Sequence, residues 1–130
     1  MSELQLGTNT IGSVGEYAII SDLLSQGVEV FKTIDDVRNT DLVCFSNGSF
    51  KRVQIKTVTF LKTKSSVEIK MHKHMKNADH IDYLAVYLLN EKLCAYVPYN
   101  GEGSIMLALK RAKNSQNKKR KWFYEYSDFI

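Results

Sequence analysis

Cysteine is nearly missing from this chain: Cys44 and Cys94 stand far apart in 130 residues, each inside an apolar run, "LVCF" and "LCAYV". Two thiols without metal-ligand spacing argue against a disulfide framework or a cysteine zinc site, and read as reduced core residues. Histidine is scarce as well. His72 and His74, in "MHKHMK", have no second pair of ligands at a zinc spacing and read as part of a solvated basic segment. Proline occurs once, as Pro98, where it marks the end of an apolar run. No apolar run is long enough to span a bilayer, which argues against a membrane protein, and "MSELQLGTNT" lacks the basic and apolar regions of a signal peptide. A cytoplasmic location is the expectation. No internal repeat, linker or low-complexity segment divides the chain, so residues 1–130 are read as a single domain.

What the chain does have is an ordinary globular balance, with 44% hydrophobic and 25% charged residues, and 14 aromatics (6 Phe, 7 Tyr and 1 Trp) that argue against disorder. A chain of this length buries about two-thirds of its unfolded surface around one core. The net charge of +4 is unevenly distributed. Residues 1–50 carry 2 basic and 7 acidic side chains, and residues 51–130 carry 16 and 7, so the halves stand at −5 and +9. Basic clusters lie at Lys70 to Lys76, at Lys110 to Lys113 and in "NKKRKWFYEY". Lys118, Lys119, Arg120 and Lys121, beside Trp122, suit a phosphate backbone and are the candidate DNA-binding residues. The bland alternative is a solubilising face.

Apolar residues Ile11, Val14, Tyr17, Ala18, Ile20, Leu23 and Leu24 fall at helical spacings, and Gly27 is a natural stop, which predicts a first helix from Ile11 to Gln26. "VEVFKTI" alternates as a strand, a hairpin follows around Asn47-Gly48, and "SSVEIKM" reads as a further short strand. "IDYLAVYLL" and "KLCAYVP" are expected to be two central strands. "SIMLALKRAKNSQNK" has helical potential, although its first half is equally compatible with a strand.

The hairpin "DLVCFSNGSFKRVQIK" begins with a carboxylate and ends in Gln54 and Lys56. With Asn47-Gly48 as a type I′ turn, 46 pairs with 49, 45 with 50, 43 with 52 and 41 with 54. Asp41 then stands opposite Gln54, and Gln54 and Lys56 share one face. A half-exposed hairpin with solvated ends is the competing reading. Glu16 follows two glycines in "NTIGSVGEYAIISDLL". Ser13-Val14-Gly15-Glu16 fits a capping box, in which the glutamate only closes the helix terminus. Gly12 and Gly15 are poor helix formers, however, and close approach of a backbone to a ligand is one reason for them.

Together Glu16, Asp41, Gln54 and Lys56 supply two carboxylates, a neutral oxygen ligand and an ammonium group, a set suited to phosphodiester hydrolysis. Hard oxygen ligands bind Mg2+, and lysine stabilises charge developing on the phosphate. Serine, cysteine or histidine triads have no comparable support. On "GSVGEYAIISDLLSQGVEVF", "DLVCFSNGSFKRVQIKT" and "HIDYLAVYLLNEKLCAYVPY", the sequence resembles the PD-(D/E)XK nuclease superfamily over roughly its first 100 residues. The resemblance lies with the branch that includes small archaeal Holliday-junction resolvases and a cyanobacterial intron-encoded homing endonuclease. Thr40 replaces the proline of the nominal motif, and Gln54 replaces a glutamate, which removes one negative charge from the site.

The resemblance implies a restriction-endonuclease-like α/β core, a mixed central sheet flanked by helices. It implies a Mg2+-dependent DNA endonuclease, with Mn2+ able to substitute, that leaves 5′-phosphate and 3′-hydroxyl ends in a junction-resolving, homing or restriction-like role. Glu16, Asp41, Gln54 and Lys56 would be catalytic, with the metal on Glu16, Asp41, Gln54 and the carbonyl of Ile55. The partner would be DNA, bound by a homodimer or dimer of dimers because two strands need two sites. The rival expectation is a non-catalytic nucleic-acid-binding or assembly module on the same fold, for which Gln54 is the best support.

Overall fold

A computed structural model describes residues 6–35, 40–59, 65–71, 81–109 and 121–129. His72, His74, Lys118, Lys119 and Arg120 lie outside them. The first helix, α1, runs Thr8–Ser25, three residues earlier than its apolar periodicity suggests, with Gly7 as N-cap. Ser13 and Glu16 are therefore interior, and the capping-box reading falls away. At the other end Gly27 takes φ 81°, a conformation that costs glycine least. The Gly27 N–H donates to the Leu24 carbonyl and the Val28 N–H to the Leu23 carbonyl, the paired bonds of a Schellman stop.

Strands β1 (Glu29–Lys32), β2 (Leu42–Ser46), β3 (Ser49–Val58), β4 (Ser66–Lys70), β5 (Tyr83–Leu88), β6 (Leu93–Pro98) and β7 (Ser104–Ala108) follow. Five form one mixed sheet in the order β1-β2-β3-β5-β6, in which only the β3–β5 pair is parallel. The segment with both helical and strand potential thus opens as a strand, β7. It pairs antiparallel with β4 in a second, two-stranded sheet.

β5 explains why the described residues form two cores. A strand in mid-sheet is covered on both faces, so "YLAVYL" is apolar almost without interruption. Leu84, Val86 and Leu88 enter one cluster with Val67, Ile69, Ile105 and Leu107 of the small sheet. Ala85 and Tyr87 enter the other with Ile19 and Leu23 of α1, Leu42, Cys44 and Val53. Each fully buried aliphatic side chain contributes about 1.5–3 kcal/mol. Helical cover is found on one face as expected, whereas among the described residues the small sheet and the short 3-10 helix Phe123–Tyr126 cover the other. β6, expected to be central, is an edge strand, a position that tolerates Pro98 at its end.

The helix buries a narrower seam than its apolar residues suggest. Gly15, Ile19 and Leu23, four apart, are buried, while Val14, Tyr17 and Leu24 are exposed. Gly15 sets the closeness of this contact: a Cβ there would lie 1.8 Å from Thr57 Oγ1 on β3. Missing side-chain volume at one helix position lets the whole helix settle on β3, and that settling carries Glu16 to the strand.

Candidate active site

The hairpin register is as its turn dictates. Asn47 and Gly48 have φ 52° and 80°, the signature of type I′, and the ladder runs Ser46↔Ser49, Phe45↔Phe50, Val43↔Arg52 and Leu42↔Val53. There β2 ends while β3 continues for five residues. In a ladder extended one step, the Ile55 N–H would go to the Thr40 carbonyl. Instead the Asp41 N–H donates to the Val53 carbonyl at 2.9 Å, and Asp41 Oδ2 accepts the Ile55 N–H at 2.7 Å. The Asp41 carboxylate completes the strand edge in place of the missing backbone, and that bond fixes its orientation. The Thr40 carbonyl is turned to the Thr33 hydroxyl, 3.0 Å away. N–H and C=O of one strand residue point to the same side, so the Ile55 carbonyl faces the edge that Asp41 occupies.

An open depression of about 550 Å³ lies along this edge, and Glu16, Asp41, Ile55 and Lys56 all line it. Thr57 and Gly12 belong to its wall, and Thr8, Asn9, Ile11 and Ser13 of α1 extend it. No Cβ at Gly12 would meet another atom within 4 Å, so this glycine, unlike Gly15, keeps its stretch of helix backbone open to the depression. Four of the five residues assigned to the centre from sequence are therefore brought together. Gln54 is set apart from them: it is 6% exposed and does not line the depression. Its Oε1 is buried and receives no hydrogen bond, while the residue is engaged through other atoms. The Asp41 carboxylate is held along the strand edge by the Ile55 N–H.

Lys32 was not visible from motif spacing. Its Nζ lies 3.3 Å from Glu16 Oε1 and 5.6 Å from the centroid of the Tyr17 ring, so it tethers the helix carboxylate to β1. The Lys32 side chain is 59% exposed, which makes this a weak pair energetically but a positioning one. The signal was in the alternation Val28, Val30, Lys32, three residues facing α1. Lys121, assigned to DNA, lies elsewhere: it pairs with Glu102 at 3.5 Å, and both residues line a separate depression of about 390 Å³ beside β7.

The donor set fits a hard divalent cation in part. Two carboxylates and a main-chain carbonyl are oxygen donors of the kind Mg2+ takes. Among the described residues, no group of three or more His, Cys, Asp or Glu side chains assembles, so the centre has fewer charges than a fully acidic one.

A model of the PD-(D/E)XK endonuclease family matches residues 6–129. The chain belongs to the PD-(D/E)XK endonuclease family. Among solved structures, it is similar to the bacterial homing endonuclease I-Ssp6803I, with a TM-score of 0.66 and 23% identity over 93% of this chain and 88% of the other. It is also similar to Hjc, a Holliday junction resolvase of Archaeoglobus fulgidus, with a TM-score of 0.53 and 12% identity over 75% and 83%. These likenesses confirm the restriction-endonuclease-like core. A comparison with curated proteins finds no match. In this family member, the hairpin and α1 are the elements that meet at the β3 edge.

Proposed function

We propose that this protein is a Mg2+-dependent DNA endonuclease whose centre is the depression at the β3 edge. The observation that carries the reading is the convergence of Glu16, Asp41, Ile55 and Lys56 there, in a chain of an endonuclease family. Glu16, Asp41 and the Ile55 carbonyl would hold the cation. A bound Mg2+ supplies charge neutralisation at the phosphate and a more acidic water. The chain's own part is positioning. The Ile55 N–H holds Asp41, Lys32 holds Glu16, and the Lys56 ammonium meets the charge that develops on the phosphate. Gln54 acts from behind this layer, as a neutral buried group that keeps the edge of β3 from accumulating a third negative charge.

DNA is the substrate, and hydrolysis leaves 5′-phosphate and 3′-hydroxyl ends. Two strands call for two centres, so the working form is a homodimer or a dimer of dimers, and the chain acts in the cytoplasm. Among the described residues no helix is long and apolar enough to cross a membrane. Lys118, Lys119, Arg120 and Lys121 give salt-dependent phosphate contacts.

The test is nicking of supercoiled plasmid in Mg2+ against EDTA, followed by DNA ligase. Metal-dependent nicks that ligase reseals support the reading; resistance of the plasmid in Mg2+ and in Mn2+ contradicts it. One observation favours a second reading, a non-catalytic DNA-binding module: the buried, uncharged Gln54 leaves the centre with two carboxylates. DNA binding without cleavage in either metal selects it.

A further inference from the structure

The sheet face that leads away from the centre carries aromatic rings that the core does not take up. Across β1, β2 and β3, cross-strand partners form two rows, Glu29–Phe45–Phe50 and Phe31–Val43–Arg52. By alternation this is the face opposite Val30, Leu42, Cys44 and Val53, which pack toward α1, and it is the face of Gln54 and Lys56. Phe50 is 63% and Phe31 47% exposed. Phe50 stands between the other two rings, with centroids 4.7 Å from Phe45 and 6.2 Å from Phe31, and is tilted 52° to each. No ring lies flat on another, so flat ring surface is left to solvent.

We propose that Phe31, Phe45 and Phe50, with Arg52 beside them, form a stacking platform for unpaired DNA bases flanking the scissile phosphate, which makes branched or locally unstacked DNA the preferred substrate. The inference rests on the nuclease reading of the β3 edge and adds the substrate class to it. Continuity is the first argument. Asp41 and Phe45 are four residues apart on one chain segment, about 13 Å at ~3.3 Å per residue, and this spans roughly four stacked nucleotides at ~3.4 Å each. A strand held at the centre and running up the hairpin crosses the rings.

Chemistry is the second argument. Every base has a π face, so aromatic side chains stack on bases without regard to sequence, and the positive charge of Arg52, an exposed residue on the same face, adds attraction for phosphate or base. In a uniform duplex the base faces are already stacked on each other, so only unpaired or splayed bases can use the platform. Area argues against a second copy of the chain as the occupant. Phenylalanines bury ~150–250 Å² each, so two rings at these exposures offer roughly 200 Å², against ~800 Å² per partner in a stable interface.

The experiment measures affinity in EDTA, so that it reads binding without cleavage. Wild type, the double variant Phe31→Ala/Phe50→Ala and Phe50→Trp are titrated with a four-way junction, a single strand and a linear duplex at one salt concentration, with sedimentation velocity in parallel. Loss of one stacked base in the double variant is expected to weaken junction and single-strand binding roughly 5- to 150-fold and leave duplex binding within about twofold. Phe50→Trp is expected to keep or improve the junction affinity. An equal loss on duplex, no loss on any DNA, or a smaller oligomer in sedimentation overturns the platform. Absence of cleavage by the wild type in Mg2+ contradicts the nuclease reading alone, because the binding arms still report.

Discussion

Replacing the two helix glycines one at a time separates packing from function. At Gly15 an added methyl would lie 1.8 Å from Thr57 Oγ1 and 2.9 Å from its Cβ, and threonine is stiff at χ1, so α1 and β3 must move apart. Overpacking of this kind costs about 1–3 kcal/mol, against which alanine returns about 1 kcal/mol of helix propensity. Gly15→Ala is therefore expected to be destabilised by up to about 2 kcal/mol, and to lose cleavage beyond that because Glu16 moves with the helix. At Gly12 no atom opposes the methyl, so Gly12→Ala gains up to about 1 kcal/mol. Its methyl enters the depression, however, and cleavage is expected to fall although stability rises. Urea denaturation gives the stabilities and plasmid nicking the activities. Thr57→Ala removes two of the three opposing atoms, so it should recover part of the Gly15→Ala loss in a double-mutant cycle. Additive effects at Gly15 and Thr57, or Gly12→Ala as unstable as Gly15→Ala, would refute this account of the helix seam.

Gln54→Glu places a carboxylate at a position 6% exposed and outside the depression, so it is expected to cost roughly 1–3 kcal/mol with or without Mg2+. A melting temperature restored by millimolar Mg2+ would show instead that residue 54 reaches the metal. Tyr96→Phe removes the hydrogen bond that the hydroxyl donates to Asp22 Oδ2 at 2.5 Å, which ties β6 to α1. A loss of about 1.5–3 kcal/mol in urea denaturation is expected, and a loss under 0.5 kcal/mol would make the contact ornamental. Burial pushes the Cys44 thiol up to about 11, and burial together with the charge of Asp22 does the same for Cys94. A thiol raised in the folded state contributes stability that is complete below its unfolded pKa, near 9, and is lost as pH rises towards 11. Urea midpoints are expected to fall across pH 9–11, and to fall less in Cys44→Ala.

The hairpin was legible in the sequence because one dipeptide settles it: Asn47-Gly48 requires two positive φ values, and a type I′ turn fixes register for both strands. β5 was legible because a run apolar on both faces has few places to go in a sheet. The Asp41–Ile55 bond was not, because it exists only where β2 stops and β3 continues, and strand ends are set by pairing rather than composition. The α1 seam was misjudged for a related reason. Val14, Tyr17 and Leu24 have the right hydrophobicity, but Gly15 decides which side of the helix lands on β3, and Ile19 is buried by that choice. β4 and β7 pair across more than thirty intervening residues, a non-local contact that no window of sequence reports.

The central claim is that the β3 edge is the catalytic centre, with Asp41 as a metal-holding carboxylate. Asp41→Asn preserves shape and still offers an oxygen to the Ile55 N–H, so folding is expected to survive while the charge is lost. Nicking of supercoiled plasmid by wild type and by this variant, followed as Mg2+ is titrated from EDTA upward, tests the claim most directly. The account predicts Mg2+-dependent nicking by the wild type and a loss of at least about a hundredfold in the folded variant. Undiminished nicking by Asp41→Asn, or wild-type nicking that persists in EDTA, would contradict it.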